Sequence, residues 1–163
     1  MKRILLAQVG VSVSLKVCLR RWQRQRRWQQ LRVFLEAEPF WRLLGIAIDE
    51  IGDGRCRLRL PLKEGVRNFG SGPAHGGAIS SLIDIAVAVA LDSLYLPEMA
   101  GHTTIELSVS FLEAASSDTV FAEGRIVRVG RSIAVGEAEV RTDDGKLVAV
   151  GRASYMIFRR KEA

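Results

Sequence analysis

Two cysteines and two histidines are all that the chain offers for disulfide or soft-metal chemistry. Cys18 and Cys56 lie far apart, neither stands in a C-x-x-C, and no second ligand type accompanies either. Neither a disulfide framework nor a zinc site is expected, and a reducing, cytoplasmic setting is the simple inference. The nucleophile elbow G-x-S-x-G is missing, Gly70-Ser71-Gly72 does not extend to G-x-G-x-x-G, and there is no Walker lysine. Elbow-type serine hydrolases and dinucleotide enzymes are thereby disfavoured. Long apolar runs are missing too. The stretch Ile4 to Leu19 contains Lys16 and ends in arginines where a small-residue cleavage site should be. It is shorter than the ~20 apolar residues of a membrane span, so neither a span nor a secretion signal is expected.

Acidic residues are absent from positions 1 to 33, which hold nine Lys/Arg. The remainder carries 15 basic against 18 acidic residues, so the formal net charge of +6 belongs to the leader and the body is mildly acidic. With 163 residues and 48% hydrophobic content, one domain with one substantial core is expected. It should occupy residues 34–163, behind a basic leader over residues 1–33. Trp22 and Trp28 stand among the leader's arginines. The segment reads either as a disordered extension or as an amphipathic helix making weak contact with a membrane surface. No nucleic-acid partner is expected.

Along the body, Leu31 to Leu44 is loosely helical and should break at Pro39. Ile46 to Ile51 reads as a strand. Arg55, Arg57 and Arg59 alternate with Cys56, Leu58 and Leu60, which puts arginines on one face of a second strand and apolar groups on the other. After a Gly/Pro-rich loop, His75 to Leu91 is long, rich in alanine and leucine, and apolar in almost every direction, hence a buried helix. Strands over Thr104–Leu112, Val120–Val129, Ile133–Arg141 and Leu147–Phe158 complete a meander. On the first of these, Ile105, Leu107, Val109 and Phe111 should face the core, with Thr104 on the opposite face. This order gives an α+β fold in which one antiparallel sheet curls around one long helix. The side of the helix that the sheet cannot reach requires a partner subunit.

Three serine and aspartate positions are the polar interruptions inside that helix: Ser80, Ser81 and Asp84. A buried carboxylate must be hydrogen-bonded, protonated or useful. Ser80 and Ser81, at i−4 and i−3, are the partners a purely structural Asp84 would use. Gly76 and Gly77 open the helix, where unpaired N–H groups suit a developing oxyanion and glycine admits close approach. Gly77 and Asp84 lie two turns apart, about 10 Å along the axis, too far to act on one carbonyl carbon. If both act, Asp84 works with the helix N-terminus of another subunit.

The run Asn68 to Asp84 contains His75-Gly76-Gly77 and an aspartate nine residues after the histidine. With the Thr103-Thr104 strand to Leu112 and the turn Val129-Gly130-Arg131-Ser132, it resembles the PaaI-type branch of hotdog thioesterases over about residues 40 to 158. The resemblance implies a hotdog fold hydrolysing acyl-CoA at a dimer interface, with the dimer as the minimal active unit within a homotetramer, and neither metal nor organic cofactor. It implies Asp84 as nucleophile or general base, with the amides of Gly76 and Gly77 polarising the thioester carbonyl. Asn68 would position water or substrate, His75 would shape the loop or bind near the carbonyl, and Thr104 would orient the attacking water. Gly130, Arg131 and Ser132 would meet the CoA phosphates. The sequence departs from the family pattern at one place: Asn68 stands seven residues before His75, and Phe69 holds the position six before. His102 reads as structural, and Leu82, Ile83 and the loop after Leu94 are candidates to line an acyl pocket. The competing reading is a non-catalytic acyl-CoA-sensing module whose leader contacts nucleic acid. Asp84 separates the two, because a sensor has no use for a carboxylate beside the thioester. A hydratase is disfavoured, since that family's His-containing loop is missing.

Overall fold

The computed structural model describes residues 15–69 and 71–160. The part of the leader before Leu15, including most of the Ile4 to Leu19 stretch, lies outside the described residues. Helix α1 (Leu15–Glu36) runs through the expected 33/34 boundary. It is followed by α2 (Pro39–Leu44), β1 (Ala47–Gly52), β2 (Arg55–Pro61), α3 (Gly76–Asp92), β3 (Met99–Phe111), β4 (Thr119–Val129), β5 (Ile133–Thr142) and β6 (Leu147–Arg159).

Pro39 differs from its expected role, because it starts a helix instead of breaking one. Proline cannot donate an N–H within a helix but suits the first helical position, where no acceptor is needed. The helix before it therefore stops at Glu36, and Glu38 caps the next by accepting the Trp41 N–H at 3.0 Å.

The six strands form one antiparallel sheet in the order β1-β2-β4-β5-β6-β3. Expected and observed strands coincide within a residue or two, except that β3 begins five residues earlier, at Met99. Strand β2 alternates as read, with Cys56, Leu58 and Leu60 buried. The sheet curls around α3, whose Leu82, Ile83, Val87, Val89 and Leu91 are fully inaccessible in the single chain. Leu82 and Ile83 thus belong to the core and line no acyl pocket. The helix lies very close to the strands: a Cβ on Gly124 of β4 would stand 2.5 Å from the Ala86 carbonyl oxygen, so only glycine permits this approach.

The apolar side chains of β3 are not enclosed by the chain itself. This strand pairs only with β6, and Ile105, Leu107 and Phe111 are 47%, 39% and 55% exposed. The core expected over these positions is half built, with an open strand edge beside it.

Candidate active site

Asp84 sits in the middle of α3, half-buried, with its carboxylate turned toward β3 and β6. Neither serine of its own helix holds it, and Ser81 turns back to donate to the Gly77 carbonyl at 2.9 Å. Its partners come from the sheet. Thr104 Oγ1 lies 2.9 Å from Oδ1 and 3.3 Å from Oδ2, and the Tyr155 hydroxyl lies 2.5 Å from Oδ1 and 2.7 Å from the Asp84 carbonyl oxygen. Both shorter side-chain bonds converge on Oδ1, while Oδ2 has only the longer contact to Thr104 and keeps acceptor capacity for a further donor.

The position of Thr104 corrects the strand reading. Register against β6 slips between Thr104 and Glu106, where Thr104 pairs with Tyr155 and Glu106 with Ser154. The extra residue, Ile105, shifts the side-chain phase by one. Thr104 and Leu107 consequently both stand on the helix side, while Ile105 leaves the core.

Tyr155 is the member of the site that sequence reasoning missed. It is 2% exposed, and a tyrosine buried so deeply needs a partner for its hydroxyl. Burial first, and the bond to Asp84 second, push its hydroxyl well above the ordinary tyrosine value, so it remains a proton donor. The alternation Ala153, Tyr155, Ile157 in β6 was the available signal, since it puts the phenol on the core face. His102 packs edge-on against the Tyr155 ring, with centroids 5.0 Å apart, and its Nε2 lies 3.0 Å from Asp92 Oδ1. It supports the site from behind and does not touch Asp84.

A second group of expected site residues gathers at the N-terminus of α3. His75 caps the helix, with Nδ1 accepting the Gly77 N–H at 3.0 Å. That bond commits one of the two expected oxyanion donors within the chain. The N–H of Gly76 has no acceptor among the described residues. Asn68 bridges its own loop, donating from its N–H to Pro73 O at 2.9 Å and accepting from Gly72 N at 2.8 Å. It lines a cavity of about 420 Å³ with Gly76, Ile79 and Phe111. Phe69, at the position where the family pattern expects asparagine, is fully exposed and has a φ of 48°, a left-handed conformation that asparagine adopts more readily than phenylalanine.

The turn Gly130-Arg131-Ser132 belongs to Asp84's end of the sheet. Ala134, Tyr155 and Thr104 form one cross-strand row, and Ser132 is two residues from Ala134. The turn is pinned by its backbone: Ile157 N donates to Ser132 O at 2.8 Å and Arg159 Nε to Arg131 O at 2.6 Å, leaving the Arg131 side chain exposed. Within one chain, the expected residues therefore fall into two groups. Asp84 stands at mid-helix with Thr104 of β3 against it, and Asn68, His75, Gly76 and Gly77 gather at the helix N-terminus two turns away.

Cys56 takes no part in either group. Its thiol donates to Ala86 O at 3.1 Å, and burial pushes its pKa up to about 12, which removes it as a nucleophile near neutrality.

A single long helix wrapped by a curved antiparallel sheet, with a carboxylate on the helix and glycines at its N-terminus, defines the hotdog class. The comparisons agree. The model of the thioesterase superfamily matches residues 71–149. A Halobacterium salinarum protein, provisionally named an esterase, is 39% identical over 125 residues, covering 71% of this chain and 82% of that one. A medium/long-chain acyl-CoA thioesterase of Salmonella typhimurium is 24% identical over 140 residues, 77% of this chain and 89% of its own. Among solved structures, the PaaI protein of the Escherichia coli phenylacetic acid degradation operon superposes with a TM-score of 0.73 at 22% identity, covering 83% of this chain and 95% of that chain. The chain belongs to the thioesterase superfamily and has the hotdog fold.

Proposed function

We propose that the protein hydrolyses acyl-CoA thioesters to a free acid and CoA, with Asp84 as general base or nucleophile. The observation that carries this reading is the one-sided clamp on Asp84. The Thr104 and Tyr155 hydroxyls both make their shorter bonds to Oδ1 and fix the carboxylate plane, while Oδ2 has only the 3.3 Å contact to Thr104 and keeps acceptor capacity for a water.

In the general-base form, Oδ2 takes a proton from water as the water oxygen bonds to the thioester carbon. The carbonyl oxygen becomes an oxyanion and is met by a backbone N–H at a helix N-terminus. Collapse breaks the C–S bond, and the departing thiolate takes the proton back from Asp84. In the nucleophilic form, Oδ2 itself bonds to the carbon, the C–S bond breaks to release CoA thiolate, and water then cleaves the mixed anhydride to regenerate the Asp84 carboxylate and the free acid. The donor in either case is the Gly76 N–H, because Gly77 is spent on His75.

The donor and base cannot come from the same chain, since two turns of helix separate them. The site is therefore shared, with Asp84, Thr104 and Tyr155 from one subunit and Asn68, His75, Gly76 and Gly77 from the other. The half-exposed β3 face supports a dimer as the minimal unit, in a homotetramer. The Arg131 turn, near the Asp84 row, would meet the CoA phosphates, for which a guanidinium is suited. The named activity of the Salmonella relative supports the substrate class.

Thiol release from aryl and straight-chain acyl-CoAs by the purified protein tests the proposal. Release on at least one substrate is expected. Binding of acyl-CoA with no release across the panel would instead make the chain a sensing module.

A further inference from the structure

Helix α1 stands outside the hotdog body, yet it is held at a fixed angle to it. The Trp28 ring lies on Gly52 so closely that a Cβ there would come within 2.7 Å, and its indole N–H points to Ser93 O at 3.4 Å. Arg32 donates to the Asp49 carbonyl at 2.8 Å, and Leu35 packs against the core. With one side of the helix docked, the other has a fixed outward direction.

The outward side is apolar where it should be polar. Val33 is 71% exposed and Phe34 76%, and beyond a two-residue turn α2 adds Phe40 at 47% and Leu43 at 79%. Of the nearby acids, Glu36 turns inward, where its Oε1 accepts the Ile48 N–H at 2.9 Å, while Glu38 caps α2 from an exposed position. Arg27 rests over the Tyr95 ring, 5.8 Å from its centroid, Arg32 bonds a neutral carbonyl, and Arg42 is exposed.

We propose that α1 and α2 form a docking surface for an anionic phospholipid bilayer, with Val33, Phe34, Phe40 and Leu43 entering the headgroup region and the exposed Arg27 and Arg42 at its phosphates. Charge selects this occupant over a second copy of the chain. A two-fold contact sets the same patch against itself, which would oppose arginines to arginines, whereas an anionic surface neutralises them. Trp28 faces the protein and serves as an anchor of the helix, contrary to the role its sequence position suggests. No helix among the described residues is long and apolar enough to cross a membrane, so the contact is peripheral.

Co-sedimentation of the full chain with vesicles of phosphatidylcholine, alone or mixed with phosphatidylglycerol, tests this. Preferential binding to the mixed vesicles that weakens as salt is raised is expected. Arg42→Gln should weaken binding about fivefold, the factor for one surface cation, and Phe34→Glu with Leu43→Glu should abolish it, with thiol release in solution unchanged. Equal binding to both vesicle types, no binding, or full binding by the Phe34/Leu43 variant would overturn the proposal. A lower assembly mass for that variant, with no vesicle binding by the parent, would assign the patch to a second copy.

Discussion

A carboxylate that accepts from two hydroxyls on one oxygen has lost most of its rotational freedom, and in the proposed function that restraint positions Asp84 for chemistry. Charge-assisted bonds of this kind are the strong ones, so removing one should loosen the group. Tyr155→Phe keeps the ring packing against His102 while deleting the donor. We expect it to lower turnover about tenfold, by analogy with other losses of one positioning bond, with the fold intact by circular dichroism. The same substitution has a second signature. Because the Tyr155 hydroxyl is held above the ordinary value near 10, the folded chain keeps a proton that the unfolded chain releases. The stability this contributes is complete below about pH 10 and is lost as pH rises beyond it. Tyr155→Phe should therefore lose stability less steeply than the parent in alkaline denaturant titrations. At this scale Asp84 was legible as a candidate, being the one acid in the interior of an apolar helix. Tyr155 was not, because its role depends on which strand lies beside α3, and alternation gives only the face.

At the scale of elements, periodicity carried most of the fold. The alternation in β2 and the apolar helix from Gly76 to Asp92 are both as read, since each depends on local sequence and burial alone. The misreadings have local causes of another sort. A bulge costs one residue and leaves no mark in hydropathy, yet it reverses the facing of every residue on one side of it, which is why Thr104 was placed away from the helix. Pro39 is equally ambiguous, because the same missing N–H ends one helix and begins the next. The close seating of α3 was not legible either, and it yields its own prediction. Gly124→Ala drives a methyl into the Ala86 carbonyl and should destabilise the chain by about 1–3 kcal/mol, read as a lower denaturant midpoint with an unchanged slope.

On the scale of the whole molecule, the proposed function makes one chain the holder of two half-sites and no complete one. A mid-helix base and a helix N-terminus two turns away meet only if a second subunit supplies one of them. Mixing Asp84→Asn chains with chains carrying a bulky residue at Gly76 should restore part of the activity that each lacks alone. Confirmed mixed dimers with no recovery would place the whole site within one chain. The seven-residue spacing of Gly77 and Asp84 behind this proposal was readable in the sequence, whereas the bond from the Gly77 N–H to His75 was not, being a matter of side-chain rotamer. The central claim is that Asp84 performs the chemistry, and turnover of acyl-CoA by purified Asp84→Asn tests it most directly. The account predicts a folded oligomer of parental mass with turnover at least about a hundredfold lower. Near-parental turnover by that same folded oligomer would contradict it.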